Sequence, residues 1–246
     1  MFDMFKNEHS DKQEKLMVLN ERQEKILVFL KENKRASVKR LASHLYVSEM
    51  TIRRDLRAME SMGCLQRYAG GAVYTADYGQ LPVEFRKLLH ADEKKRLSEK
   101  TRKYLHDGMS VFIDSSSTCL YVIPLLSDYK DIKIVTNSVQ CLIEASGHNI
   151  DCIMAGGTYY AHDMCTVGGE TNAFLRRVNT DIGFFSAAAI SDDGVVSDYD
   201  TEQTASRKAA MENCEKKIFM LDRTKMHKKF LYTIARKEEI DDIIIV

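Results

Sequence analysis

Two different hydrophobic rhythms divide this 246-residue chain. In residues 20–34, Ile26, Leu27 and Leu30 fall on one face of a helix. Asn20 suits its N-cap, and Lys31 and Lys34 lie near the C-terminal end, where cations complement the helix dipole. Ser37 caps a second, short helix in which Val38, Leu41 and Leu45 share a face. Tyr46-Val47-Ser48 is the turn. Ser48 then opens a third helix, which Gly63 ends. Residues 64–74 hold two short β-prone runs joined by Ala69-Gly70-Gly71, the pattern of a small hairpin. Three helices and a hairpin in residues 20–76 predict a winged helix-turn-helix unit.

From residue 92 the rhythm changes to apolar strands alternating with helices. Residues 92–108 predict an amphipathic helix ended by Gly108. Strands are expected at 109–114, 132–136, 151–156, 181–190, 216–222 and 241–246, with helices after the loops at 115–126 and 137–146 and at 204–214. Such alternation predicts an α/β domain, a mainly parallel sheet with helices on both faces. Gly79 and Leu81-Pro82 mark a linker. The expected organisation is an N-terminal extension (1–19), the winged unit (20–76), a linker (77–91) and an α/β domain (92–246).

On a helical wheel of the third helix, Ile52, Leu56 and Met59 stack on one face. Met50, Arg53, Arg54 and Arg57 lie opposite, with Thr51 at the flank and Asp55 beside the buried stripe, placed to pair with a basic neighbour. An ordinary charged helix face is the plain alternative. The preceding helix-turn-helix and the following hairpin with Arg67 favour a reading helix, because an α-helix fits the major groove and Arg forks onto guanine O6/N7 or phosphate.

Charge adds to this picture only through its distribution. The chain has 36 Lys/Arg against 36 Asp/Glu, yet residues 31–67 hold nine basic and four acidic residues while residues 77–246 hold 22 and 26. A basic front and a mildly acidic body suggest modules with different partners. No apolar run approaches a membrane span, and the N-terminus has no signal-peptide core, so a cytoplasmic protein without membrane contact is expected. The six cysteines form no C-x-x-C pair, which argues for reduced buried thiols rather than a disulfide frame or zinc site. The seven histidines make no paired spacing with a carboxylate or thiol. No metal and no cofactor is expected.

The polar residues that follow the strands are the second candidate site. Asp114-Ser115-Ser116-Ser117-Thr118 follows one strand, Thr136-Asn137-Ser138 the next, and Gly156-Gly157 a third. Helix capping is the plain reading of each alone. Three at successive strand ends favour a shared anion pocket, since ligands of open α/β sheets sit at the carboxyl ends of strands.

The segment from Glu21 to Gly63, with S-x-x-T-I-R-R-D-L at Ser48–Leu56 and the trailing G-G-A-V of the wing, resembles the DNA-binding domain of the DeoR family of bacterial transcriptional regulators. The resemblance continues with decreasing fidelity over the rest of the chain. It implies that Thr51, Arg53 and Arg54 read bases or phosphates, that Ser48 contacts phosphate or caps the helix, and that Arg67 and the wing glycines Gly70 and Gly71 contact the backbone. It implies a sensor domain with a fold resembling ribose-5-phosphate isomerase that binds a phosphorylated sugar or related metabolite. Asp114–Thr118, Thr136–Ser138 and Gly156-Gly157 match the family's motifs, and so do Lys208 and, in D-x-S/T-K, Asp222 to Lys225. Where the family commonly has G-A-D-G-I, this chain has Ala187-Ala188-Ala189-Ile190 after Ser186, so Ala188 replaces a carboxylate and the ligand or its mode of binding is expected to differ. Family members usually begin near Met17, so residues 1–16 are either an extension or a misassigned start.

The implied function is a repressor of a sugar-catabolic operon, working as a dimer or tetramer on a double-stranded operator and released by a phosphorylated metabolite. Two other classes are weighed: a sugar-phosphate isomerase with an attached DNA-binding domain, for which Asp114 and Glu202 are the remaining candidate bases, and a protein-interaction module using the winged helix. Cys119, beside the Asp114–Thr118 loop, is either a redox-sensitive thiol or a small buried hydrophobe.

Overall fold

The structure is a computed structural model that describes residues 19–61, 64–74 and 83–246. The chain forms two compact units, Met1–Thr75 and Ala76–Val246. The extension, the question of Met1 or Met17, the stop at Gly63 and the linker markers Gly79 and Leu81-Pro82 lie outside the described residues.

In the first unit α1 (Glu21–Asn33) begins in a capping box: Asn20 accepts from the Gln23 N–H, and Gln23 reaches back to the Asn20 N–H, both at 3.1 Å. A three-residue strand, β1 (Arg35–Ser37), leads into α2 (Val38–Leu45), and α3 (Glu49–Ser61) follows. The wing is β2 (Gln66–Tyr68) and β3 (Gly71–Val73). Ile26, Leu27, Leu30, Val38, Leu41, Ile52, Leu56 and Met59 are buried where the three helices pack together, while Leu45 of the expected α2 stripe is only half-buried. Strand β1 was not expected, because three residues are too few to show an alternating pattern. It pairs with β3 and makes the wing a three-stranded antiparallel sheet in the order β1-β3-β2.

The first described elements of the second unit are α4 (Val83–Leu88) and α5 (Ala91–Glu99). The sequence pattern places residues 83–91 in the linker. They instead pack on this unit, with Val83 buried in its core, Arg86 paired with Asp163 and Lys87 with Glu144. The helix expected to run to Gly108 stops at Glu99. The Thr101 hydroxyl donates to the Ser98 carbonyl at 2.6 Å, and a single 3-10 turn, Arg102–Tyr104, replaces the last turns.

The sheet and its flanking elements follow in chain order: β4 (Ser110–Ile113), α6 (Ile123–Leu126), β5 (Lys133–Thr136), α7 (Val139–Gly147), β6 (Asp151–Met154), β7 (Thr158–Tyr160), β8 (Cys165–Val167), α8 (Gly169–Leu175) and β9 (Thr180–Phe185). After them come β10 (Ala189–Ile190), β11 (Val195–Asp198), α9 (Thr201–Glu212), β12 (Cys214–Leu221), β13 (Tyr232–Arg236) and β14 (Asp242–Ile245). Six strands form a parallel sheet in the order β14-β12-β9-β4-β5-β6. Its central strands β4, β5, β9 and β12 are apolar on both sides, as a sheet covered on both faces requires, while edge strand β6 is partly exposed. Val111, Ile113, Phe184 and Met220 enter one core. Phe112, Phe185 and Phe219 enter the other, where their rings follow at centroid spacings of 5.2 and 5.4 Å.

The strand expected at 181–190 ends at Phe185. Ser186–Ala188 leave the sheet, and β10 joins β11 and β13 in a second, antiparallel sheet. That sheet, the β7-β8 hairpin and α8 add elements that the apolar pattern did not reveal.

Candidate functional site

The first candidate surface is α3. Ser48 accepts from the Thr51 N–H at 3.2 Å and so caps the helix, and its hydroxyl lies 2.9 Å from that of Thr51. Asp55 is buried and takes both ends of the Arg22 guanidinium, at 2.5 and 3.1 Å, which fixes α3 against α1. On the other face Met50 is 78% exposed, and Arg53, Arg54 and Arg57 are exposed around it. Arg53 makes an i,i+4 pair with Glu49 at 3.1 Å, and Arg57 donates to the Arg53 carbonyl at 3.3 Å. Arg54 has no side-chain partner among the described residues. Tyr46, in the left-handed conformation that closes α2, is 96% exposed at the turn and was not singled out in the sequence.

The wing residues are placed differently from one another. Arg67 is held by Glu60 of α3, side chain to side chain at 2.7 Å and main chain to carboxylate at 2.8 Å. Gly70, at φ +92°, forms the tip, and its carbonyl accepts from the Val38 N–H at 2.8 Å. Gly71 is buried in the three-stranded sheet, where a Cβ would collide with the Ala36 carbonyl and the Tyr68 ring. Its role is close backbone approach, not an exposed contact.

The second site is a cleft of about 560 Å³ in the α/β unit. It lies where three neighbouring strands end. Ser116–Thr118 follow β4, Ser186–Ala188 follow β9, and Thr224-Lys225 follow β12. Asp198 and Tyr199 at the end of β11, Gln203 and Arg207 of α9, Arg86 of α4, Lys228 and Phe230 complete it.

Two hydroxyls of the cleft accept from buried donors. Ser117 Oγ accepts from the buried Lys94 ammonium at 3.1 Å, and Ser116 Oγ accepts from the Cys119 N–H at 3.3 Å. Each oxygen already serves as an acceptor, so each retains its own hydrogen to donate. Lys225 is buried, donates to Ser186 Oγ at 3.0 Å and stands 3.8 Å from Asp222. Burial lowers its pKa, against the pull of Asp222. Burial acts on Asp222 in the raising direction, but the Lys225 charge and the hydrogen bonds from Thr224 prevail and hold it below the usual carboxylate range.

Arg207 is the pivot of the cleft. Its Nε meets both Asp114 oxygens at 3.1 Å, Nη1 donates to Asp198 at 2.8 Å and Nη2 to Gln203 at 3.1 Å. Burial opposes its charge, but Asp114 and Asp198 hold it charged throughout the accessible pH range. Burial lifts the Tyr199 hydroxyl to about 12.

Of the sequence candidates, the structure brings Ser116, Ser117, Thr118 and Lys225 together in the lining, with Asp114 and Ser115 directly behind through Arg207 and Gln203. It does not bring the others there. Thr136 donates to the Ile113 carbonyl at 2.6 Å, Asn137 donates to the Thr166 carbonyl at 2.8 Å, and Ser138 caps α7 by accepting from Cys141 N at 3.1 Å. Gly157 packs against Thr171, whose hydroxyl donates to the Gly156 carbonyl at 2.7 Å. Lys208 points to solvent, and the cleft cation of α9 is its neighbour Arg207. The expected convergence of the ends of β4, β5 and β6 is therefore corrected to that of β12, β9 and β4: β9 flanks β4 on its other side, while the residues after β5 and β6 are taken up by hydrogen bonds within the fold. Ala188 does line the cleft, beside Ala187. Cys119 is fully buried behind the Ser116 loop, and desolvation pushes its thiol well above the ordinary value. Among the described residues no cluster of His, Cys, Asp and Glu could hold a metal ion, and no helix is long and apolar enough to cross a membrane.

A helix-turn-helix with an arginine face, joined to an α/β unit with an anion-suited cleft at its strand ends, defines a DNA-binding regulator with a sensor domain. The comparisons with known proteins agree. Residues 22–77 match the DeoR-like helix-turn-helix domain and residues 89–245 the DeoR C terminal sensor domain. The chain belongs to the DeoR family of transcriptional regulators. It is 30% identical over 230 residues to the L-fucose operon activator of Haemophilus influenzae, covering 92% of this chain and 91% of that one. It is 28% identical over 210 residues to the HTH-type transcriptional repressor CsqR of Escherichia coli (85% and 80%), and 26% over 230 residues to the glycerol-3-phosphate regulon repressor of the same organism (92% and 90%). Among solved structures, D-ribose-5-phosphate isomerase in complex with phospho-erythronic acid aligns at a TM-score of 0.43 and 19% identity, over 55% of this chain and 54% of that chain.

Proposed function

We propose that this regulator represses a sugar or carbohydrate catabolic operon and that a small phosphorylated metabolite, bound in the cleft at the ends of β4, β9 and β12, controls its hold on DNA. The observation that carries this reading is the pairing of two hydroxyls that already accept and can still donate, Ser116 and Ser117, with the buried Lys225 ammonium across one cavity. A phosphate monoester supplies the acceptors that all three seek. Ala187 and Ala188 supply methyl groups where a carboxylate would grip hydroxyls, which suits a ligand body with fewer hydroxyls at that wall. Arg53, Arg54 and Arg57 with Met50 and Thr51 form the surface for the major groove, and a homo-oligomer places two such helices on repeated half-sites.

The protein acts without catalysis on this reading. An isomerase needs a carboxylate poised as a base. Asp114 and Asp198 are engaged by Arg207, and Asp222 by Thr224 and Lys225. The test is a selection of genomic fragments by the purified protein at about 150 mM salt, where sequence-independent phosphate binding is weakened, repeated with a panel of sugar phosphates. Recovery of a few fragments with repeated sites, released by one compound, is expected. Failure to enrich any fragment contradicts it.

A further inference from the structure

Arg86 carries a structural position that the cleft's chemistry alone does not explain. It lines the cleft, yet it belongs to α4, the first described element after residues 75–82, the segment that joins this unit to the wing. In the structure Arg86 Nη2 donates to Asp163, a carboxylate in the 3-10 turn between β7 and β8 that is itself buried. A second link runs from the anion-suited loop to the same helix. The Lys94 ammonium, fully buried, bridges the Arg86 carbonyl and Ser117 Oγ. The Tyr121 hydroxyl donates to the Lys87 carbonyl at 2.9 Å, and Lys87 pairs with Glu144.

We propose that the anionic group of the effector takes Arg86 from Asp163, and that α4, released from that pair, transmits occupancy of the cleft to the DNA-binding unit. This rests on the cleft being the effector site. A phosphate offers the planar guanidinium two acceptor oxygens at once and carries more charge than the carboxylate it replaces. Asp163 keeps Gln203 Nε2 as a donor and has His162 Nδ1 at 3.3 Å, so the carboxylate it leaves behind retains partners. A ligand shifts such an equilibrium only through differential affinity for its two states. Here the differential contact is Arg86 itself: bound to Asp163 in one state and to the ligand in the other.

The experiment is hydrogen–deuterium exchange on the full chain with inorganic phosphate as the probe, alongside phosphate affinity by calorimetry. Phosphate is expected to slow exchange at residues 115–118 and to speed it several-fold at residues 83–88. Asp163→Asn removes the competing carboxylate and is expected to bind phosphate about tenfold more tightly, since the cost of freeing Arg86 is gone. The double variant Arg86→Met/Asp163→Asn removes both charges, so neither is left buried alone. It is expected to bind phosphate more weakly through Lys225 and to show no response at residues 83–88. Slowing at 115–118 with unchanged exchange at 83–88 and unchanged affinity in Asp163→Asn overturns the latch and leaves the cleft assignment standing. Absence of slowing at 115–118 overturns both.

Discussion

Arg207 Nε holds both oxygens of Asp114 at 3.1 Å, and through this contact α9 is tied to the loop that follows β4. The guanidinium also pairs with Asp198, so one buried cation is shared by two buried carboxylates. Arg207→Met leaves both without this counter-charge, with main-chain donors from Ser186 and from Tyr199 and Asp200 remaining. Removing one partner of a buried ion pair costs about 3–5 kcal/mol, and a fall of that order in the denaturant stability of the α/β unit is expected. Lys208→Ala, one residue on and facing solvent, is expected to change stability by less than about 0.5 kcal/mol and to leave effector affinity unaltered.

Lys225 gives the cleft a pH signature. Burial lowers its pKa, and a bound anion favours its charged form. Anion affinity is therefore full where Lys225 is protonated and falls as pH rises through that lowered value, before an ordinary lysine near ~10.4 would lose its proton. Phosphate titrations between neutral and alkaline pH check this. The Lys225→Arg variant, charged throughout, is expected to flatten the decline.

The arginines of α3 are expected to differ in kind. Arg54→Ala is expected to cost about 1–3 kcal/mol of operator affinity and to relax preference at the base it reads. An arginine on phosphate instead weakens all sequences alike and lowers the salt slope by about one. Competition binding against scrambled DNA at several salt concentrations separates the two. Arg67, already paired with Glu60, is expected to show the smaller effect.

Much of this architecture was legible in the chain because it repeats over many residues. The stripe of Ile52, Leu56 and Met59 fixed which side of α3 faces out, and the apolar runs of β4, β5, β9 and β12 marked a buried sheet. Strand β1 and the sheet of β10, β11 and β13 were not legible, since runs of two to five residues carry too few alternations. The cleft was half visible. Polar residues after each strand were evident, but which strand ends converge depends on sheet order, and nothing local places β9 between β4 and β12. The mistaken Lys208 had a local remedy: Gln203, Ser206, Arg207 and Ala210 form the buried stripe of α9, and Lys208 falls off it.

Thiol chemistry is expected to avoid the cleft. Cys119 is fully buried with its pKa raised by desolvation, whereas Cys152 on β6 is half-buried and its pKa is lowered by a hydrogen bond from Cys141. A thiol reagent on the native chain is expected to label Cys152 ahead of Cys119, with Cys119 reacting only on unfolding. Peptide mapping after timed labelling reads the order.

The central claim is that an anion held by Ser117 and Lys225 governs DNA binding through α3. The most direct measurement is release of a recovered operator fragment, followed by fluorescence anisotropy, as the active phosphate ester is titrated into wild type and into Ser117→Ala and Lys225→Met. Both variants are expected to bind the fragment as wild type does but to need at least about tenfold more ester for release, the loss of a charge-assisted hydrogen bond. Release at the same ester concentration in all three proteins would contradict it.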